Sequence, residues 1–156
     1  MLGRPYPSAQ TGPTMSIPTK APVRVLIVDD QASFRRAAEQ VVEATNGFAV
    51  AGAVATGEAA VAAAQALRPD LVLMDVHLPG IDGPEATRRI LADPGGPRRP
   101  VVLLLSTDEE RDGGAWVAGS GAAGYLAKRA FEPQRLSAVW AVVVGTRAGG
   151  GPCPAR

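Results

Sequence analysis

The chain has 156 residues, of which 46% are apolar and 20% are charged, with a formal net charge of +1. This composition is typical of one globular domain with a hydrophobic core, and the charge shows no signature of nucleic-acid binding. No stretch approaches the roughly 20 apolar residues of a membrane span. Its single cysteine, Cys153, excludes a disulfide framework and favours a cytoplasmic location. We therefore expect no direct contact with nucleic acid or membrane.

The two ends of the chain differ in composition from its middle. Residues 1–22 are rich in proline and polar residues, and residues 148–156 are rich in glycine and proline. Both compositions are typical of disordered segments. The sequence therefore predicts one folded domain over residues 23–147, between a disordered N-terminal extension and a disordered tail.

Short apolar runs alternate with helical patterns through this domain. The first run, VRVLIVDD, precedes an amphipathic helix that should close at the Asn46–Gly47 pair. The later predicted strands are FAVAGAV, DLVLMD, PVVLLLS and AGYLAK, and the later helices are GEAAVAAAQAL, GPEATRRILA, TDEERDGGAWVAGSG and PQRLSAVWAVVVGT. Five successive βα units with strands apolar on both faces predict an α/β fold, with helices on both sides of a parallel sheet.

The fourth helix has conflicting signals. Thr107 and Glu110 have the spacing of a capping box, which predicts that the helix starts there. Gly113 and Gly114 follow, and each weakens a helix interior by roughly 1 kcal/mol. We expect this helix to be less well ordered than the others.

Polar side chains follow four of the five predicted strands. Asp29 and Asp30 follow the first, Asp75 the third, Ser106 the fourth and Lys128 the fifth. Because ligands of an open α/β sheet bind beyond the carboxyl ends of its strands, we expect these groups to lie together. Taken singly, each has an ordinary explanation: an acid or a serine can cap the next helix, and a lysine can be a solvated strand end.

Three carboxylates at one edge need a cation, and oxygen ligands in this number suit Mg²⁺. A metal beside a carboxylate, a hydroxyl and an ammonium group can stabilise a phosphoryl group in transfer. Asp75 is then the candidate nucleophile, because the neighbouring Asp29 and Asp30 are better used to hold the ion. The backbone carbonyl of His77 could face the same ion, whereas the His77 side chain is expected to be an exposed loop group.

The motifs VLIVDD, PDLVLMDVHLPGIDG, VVLLLST and SGAAGYLAK occur in this order across the core from Val23 to Val144. In them the chain resembles the receiver (response regulatory) domain of two-component response regulators, especially receivers that precede a helix-turn-helix output domain. The resemblance implies a doubly wound (βα)5, flavodoxin-like fold whose five-stranded parallel sheet has the order 2-1-3-4-5. It also implies a phosphorelay switch that receives its phosphoryl group from a sensor histidine kinase or a phosphotransfer protein, not an enzyme that acts on an outside substrate.

The resemblance also implies a role for each acid. Asp75 is the phosphoacceptor, and Asp29 and Asp30 form the acidic pair, with Asp30 a direct ligand of Mg²⁺. Asp75 and the backbone carbonyl of His77 complete the protein's side of that metal site.

Three further residues take roles from the resemblance. Ser106 is the switch hydroxyl, Lys128 pairs with a phosphoryl oxygen, and Tyr125 is the aromatic side chain that rotates on activation. The signal should reach the face formed by the fourth helix, the fifth strand and the fifth helix, where a second copy of the chain is one candidate partner. Arg129 stands where many receivers have a proline after a cis peptide bond, so we expect a trans bond here.

Two alternatives remain open on the sequence. A phosphatase of the haloacid-dehalogenase type would need a second acid at the position of His77. A receiver-like interaction module that is never phosphorylated would not need the complete set of acids, hydroxyl and amine. Since too few residues follow the last predicted helix to form a DNA-binding domain, we expect a stand-alone receiver or a fragment of a longer regulator.

Overall fold

The computed structural model describes residues 21–96, 98–107 and 113–149. Nearly all of the predicted N-terminal extension and Cys153 lie outside these residues. Strands and helices alternate through the described part: β1 Val23–Val28, α1 Ala32–Glu43, β2 Phe48–Val54, α2 Gly57–Leu67, β3 Leu71–Asp75, α3 Gly83–Ala92, β4 Val101–Ser106, α4 Gly113–Ser120, β5 Gly124–Ala127 and α5 Pro133–Gly149.

The strands form one parallel sheet in the order β2-β1-β3-β4-β5. Successive side chains of a strand point to opposite faces, so apolar strands need cover on both sides. One face, with Leu26 and Leu104, packs against α2, α3 and α4, and the other, with Ile27 and Leu103, packs against α1 and α5. The structure confirms the predicted flavodoxin-like fold and its strand order.

α1 ends at Glu43, earlier than the predicted cap at Asn46–Gly47. The hydroxyl of Thr45 donates a hydrogen bond of 2.6 Å to the carbonyl oxygen of Val41, which satisfies a carbonyl of the last turn. Gly47, with a φ of 86°, instead serves the turn into β2. The predicted helix end was therefore wrong, because a side-chain hydroxyl closes the helix before the glycine is reached.

The last elements also differ in their limits from the prediction. α4 begins at Gly113, and the predicted capping box falls partly on residues 108–112, outside the described residues. β5 ends at Ala127, so Lys128 lies just beyond the strand in a 3₁₀ turn, Lys128–Ala130. α5 continues to Gly149, so the predicted tail starts as helix, and residues 150–156 lie outside the described residues. None of the described helices is long and apolar enough to cross a lipid bilayer.

Candidate functional site

Three carboxylates lie together at the carboxyl edge of the sheet. Asp29 and Asp30 follow β1, Asp75 is the last residue of β3, and one oxygen from each acid lies within 4.8 Å of the others. Because β1 and β3 are adjacent and parallel, with Val28 opposite Met74, the residues that follow are brought to the same level. The structure thus brings the three predicted acids to one place.

Asp29 is fully buried, and its two carboxylate oxygens differ in their contacts. Oδ1 accepts a hydrogen bond of 2.8 Å from the backbone N–H of Gln31. Oδ2 makes no hydrogen bond of regular geometry with any described residue, and it faces the Lys128 ammonium at 2.5 Å in an ion pair. A buried carboxylate oxygen in this situation is stable only beside a cation.

Lys128 joins two of the acids, although it lies beyond the end of β5. Its Nζ is 2.5 Å from Asp29 Oδ2 and 3.5 Å from Asp75 Oδ1, and its side chain is only 9% exposed. The peptide bond that follows it is trans, as predicted. The amine expected at this edge is therefore present and held against carboxylates.

An aromatic pair holds the lysine from its other side. Lys128 Nζ lies 4.6 Å from the centroid of the Phe34 ring, and the Phe34 and Phe131 rings are 6.2 Å apart. A cation over a ring face is attracted by the ring quadrupole, so Phe34 favours the ammonium at this position. This role was not predicted from the sequence, because an aromatic residue in an amphipathic helix indicates burial and nothing more.

Asp75 is 4% exposed. Burial, reinforced by the negative charge of Asp29, raises the pKa of Asp75 from 3.8 to about 6, although Lys128 and the His77 N–H oppose the shift. At neutral pH the group is thus ionised at a cost in free energy, and that cost favours any cation that binds beside it.

A glycine and a helix cap shape the loop after Asp75. A Cβ on Gly83 would lie 2.2 Å from the Asp75 carbonyl oxygen, so a side chain there would force α3 away from β3. Asp82 caps α3 by accepting a hydrogen bond of 2.9 Å from the Glu85 N–H. The loop therefore returns tightly past the phosphoacceptor candidate.

Ser106 and Tyr125, the two predicted switch residues, lie on neighbouring strands. Ser106 is fully buried at the end of β4, where it pairs in register with Ala127. The half-buried Tyr125 ring lies 5.9 Å from the ring of Trp116 in α4. Trp116 also meets the His77 ring edge-on, with centroids 5.7 Å apart. The exposed side chain of His77 is therefore packed against α4, a contact that the sequence analysis did not predict.

The residues present fit a magnesium ion. Three carboxylates supply hard oxygen ligands, and the exposed Asp30 leaves one side of the cluster open to the water molecules that Mg²⁺ retains. Asp29 Oδ2 has no regular hydrogen bond, so it has acceptor capacity left for a second cation. The remaining predicted ligand, the His77 carbonyl, stays a prediction.

Comparison with known proteins identifies the family. Residues 25–140 match the response regulator receiver domain. The chain belongs to this family. This is a family of receiver domains and not of catalytic enzyme domains. The assignment therefore excludes the phosphatase alternative.

Individual curated proteins are similar to this receiver over a large part of its length. It is 37% identical over 125 residues to the response regulator UvrY of Escherichia coli O6:H1. This match covers 80% of this chain and 56% of UvrY. It is 44% identical over 92 residues to a protein-glutamate methylesterase/protein-glutamine glutaminase of Anaeromyxobacter dehalogenans. This match covers 59% of this chain and 26% of that protein. The chain thus spans between a quarter and just over half of these curated relatives.

A solved structure agrees with the sequence relatives. The signal receiver domain of the putative response regulator NarL from Mycobacterium tuberculosis matches with a TM-score of 0.68 at 28% identity. The match covers 81% of this chain and 99% of that domain. The described fold is therefore that of a whole receiver domain.

Proposed function

We propose that this receiver is a phosphorylation-controlled switch that accepts a phosphoryl group on Asp75 from a sensor histidine kinase or a phosphotransfer protein. The observation that carries the proposal is the position of Asp75, which is buried beside Asp29, close to the exposed Asp30, and 3.5 Å from the Lys128 ammonium. A buried, ionised carboxylate next to a cation and to acids that can hold a metal ion is suited to nucleophilic attack on a phosphoryl group.

Mg²⁺ is the proposed cofactor, held by Asp29, Asp30, Asp75 and the backbone carbonyl of His77. When bound, the ion supplies positive charge that offsets both the carboxylates and the oxygens of an incoming phosphoryl group. This assignment is supported by the three carboxylates and by the buried Asp29 Oδ2, which has no regular hydrogen bond, and removal of the metal tests it.

The chain's own residues then perform the transfer. An ionised oxygen of Asp75 forms the bond to phosphorus while the bond from phosphorus to the donor atom breaks, and the leaving group keeps that electron pair. Lys128, held by Asp29 and Phe34, is placed to pair with a phosphoryl oxygen. Ser106 is proposed to donate its hydroxyl hydrogen to another.

The proposed output is the face formed by α4, β5 and α5. Phosphorylation would draw Ser106 toward the phosphoryl group and change the setting of Tyr125, which packs on Trp116. α5 presents Val142, 67% exposed, toward solvent, and a second copy of the chain is the proposed partner there. Sedimentation and amide exchange, with and without beryllium fluoride and Mg²⁺, test the face: activation should change exchange in residues 113–127 and promote self-association.

Incubation with acetyl phosphate followed by intact-mass spectrometry tests the chemistry. We expect one added phosphoryl group in the presence of Mg²⁺ and none in EDTA. Asp75→Asn should remain unlabelled, whereas Glu43→Gln, which removes an exposed acid of α1, should label like the parent. Absence of labelling in the parent would instead favour the interaction module that is never phosphorylated. A cytoplasmic location, and a stand-alone or truncated architecture, stay predictions.

A further inference from the structure

A second concavity lies at the opposite edge of the sheet, near the amino ends of β3 and β4. It has a volume of about 250 Å³ and lies between the end of α2, the end of α3 and the segment that leads into β4. Its apolar wall includes Val61, Ala64 and Ile90. Its charged lining consists of Arg68, Arg98, Arg99, Asp70 and Asp93. None of the proposed phosphorylation residues lines it.

Arg68 has an unusual backbone for its residue type. It caps the end of α2 with φ 49° and ψ 59°, and it is the only non-glycine residue with positive φ in the described part of the chain. Glycine or asparagine ordinarily takes this position, because a Cβ is strained there. Backbone strain of this kind is common at functional sites, above all where the side chain also has defined contacts.

The Arg68 guanidinium lies close to two glycines and one acid. A Cβ on Gly95 or Gly96 would lie 2.8 Å or 3.0 Å from its nitrogens, so these two glycines leave the room that it occupies. Asp93 Oδ2 lies 3.3 Å from it in an ion pair. Arg68, with its side chain 49% exposed, therefore lies along one wall of the cavity beside these glycines and Asp93.

The acids of the cavity already have partners. Asp70 accepts a hydrogen bond of 2.9 Å from the backbone N–H of Arg24, and Asp93 accepts one of 3.0 Å from the N–H of Gly95 in addition to its ion pair. The Arg24 guanidinium donates to the carbonyl oxygens of Leu67 and Arg68 at 2.6 Å and 3.0 Å. It thereby offsets the negative end of α2, which would otherwise repel an anion.

The remaining cations have unused donors. The guanidinium groups of Arg98 and Arg99 make no hydrogen bond or ion pair with any residue in the described ranges, and both residues are exposed. A guanidinium carries five donors in a planar fork that matches a phosphate or carboxylate group. The cavity therefore combines engaged acids, unengaged arginines and an apolar wall.

We propose that this cavity binds a small organic anion, with its phosphate or carboxylate group on Arg98 and Arg99 and its apolar body against Val61, Ala64 and Ile90. The volume of about 250 Å³ is enough for a body the size of one aromatic ring, since a cavity of about 150 Å³ holds benzene. A polyanion such as nucleic acid fits less well, because the arginines line a hollow and the whole chain carries a net charge of only +1.

Phenyl phosphate is the probe for the test, titrated into the full, isotope-labelled chain in EDTA and followed by amide NMR. EDTA keeps metal-bound phosphate away from Asp75, so the result does not depend on the proposed phosphorylation. We expect saturable shifts at the amides of Gly95 and Gly96, with a dissociation constant on the order of 1 mM. Inorganic phosphate should shift the same amides more weakly, and phenol should not saturate them.

A matched pair of double variants separates a site from general charge. Arg98→Gln with Arg99→Gln should weaken phenyl phosphate binding about tenfold, through loss of two charge-assisted contacts. Arg36→Gln with Arg135→Gln removes the same charge from exposed positions on α1 and α5 and should leave binding within about twofold. The proposal is overturned by no saturable shift below about 10 mM, by shifts confined to the Asp75 edge, by equal weakening in both variants, or by equal affinity for inorganic phosphate or phenol.

Discussion

Single residues at the carboxyl edge carry charge that the fold holds away from water. Asp29 and Asp75 are almost fully buried, and each lies against the Lys128 ammonium. The raised pKa of Asp75, about 6, measures how far burial and the neighbouring acid outweigh that one cation. In the metal-free protein this edge is therefore destabilising at neutral pH, and charge removal there should show it.

The substitution Asp75→Asn should raise the stability of the metal-free protein by about 1–3 kcal/mol at neutral pH, since about two pKa units of unfavourable ionisation are removed. The sign follows from the pKa, which is higher in the folded chain, about 6, than the ordinary value of 3.8. The contribution of Asp75 to stability is thus fully present below 3.8 and is lost as the pH rises through 6.

Urea unfolding of both proteins in EDTA at several pH values checks this prediction. The stability difference between Asp75→Asn and the parent should grow from acidic pH and level off above about pH 7. Glu43→Gln removes an exposed acid and should change stability by less than about 0.5 kcal/mol throughout. A difference that does not vary with pH would mean that Asp75 has an ordinary pKa.

Phe34 supplies the second residue-scale prediction. Phe34→Leu keeps an apolar side chain beside Phe131 but removes the ring face under the Lys128 ammonium. We expect phosphorylation by acetyl phosphate to slow about two- to fivefold because Lys128 is less well positioned, and the free energy of unfolding to fall by no more than the roughly 0.5–1 kcal/mol of a cation–π contact. Phe34→Tyr keeps the ring face and should retain the parent rate. Equal slowing in the tyrosine variant would show that Phe34 acts through packing alone.

Elements take their positions from close contacts as much as from their own propensities. α3 begins directly against the end of β3, because Gly83 has no side chain to meet the Asp75 carbonyl oxygen. Gly83→Ala would place a Cβ at 2.2 Å from that atom, so it should destabilise the protein by about 3 kcal/mol and slow phosphorylation by moving the loop.

A second glycine offers the control. Gly114 in α4 has no atom within 4 Å of an added Cβ, and Gly114→Ala should be neutral or stabilising by up to about 1 kcal/mol. Urea unfolding measures both variants. Equal stability of Gly83→Ala and Gly114→Ala would show that the loop after Asp75 can move far enough to accept a side chain at position 83.

The sequence predicted the elements well where pattern and position coincide. β3 and β4 are buried along their whole length, so their apolar runs were unmistakable, and their carboxyl ends placed Asp75 and Ser106 at once. Prediction from the sequence failed where a single side-chain contact determines the end of a helix or the role of a residue. The hydroxyl of Thr45 ends α1 early, and the contact of Phe34 with Lys128 joins helix α1 to the turn after β5, which no local pattern encodes.

In the described part of the chain, carboxylates and arginines concentrate at opposite edges of the sheet, although each edge also holds charges of the other sign. Carboxylates gather where β1 and β3 end, and arginines line the hollow where β3 and β4 begin.

A cation bound by the carboxylates at the ends of β1 and β3 should therefore stabilise the entire fold. Millimolar Mg²⁺ should add about 1–3 kcal/mol if it lies well above the dissociation constant. Asp30→Ala should remove most of this effect, whereas Arg98→Gln with Arg99→Gln should leave it unchanged. A melting temperature that is independent of Mg²⁺ in the parent would contradict the metal assignment.

The residue that carries the phosphoryl group decides whether Asp75 is the phosphoacceptor. The protein is phosphorylated with acetyl phosphate and Mg²⁺, the acyl phosphate is reduced with borohydride, and the modified residue is located by peptide mass spectrometry. We expect the modification at Asp75 alone, on the peptide that spans β3. Modification at Asp29, Asp30 or Ser106 instead, or its persistence elsewhere in Asp75→Asn, would contradict it.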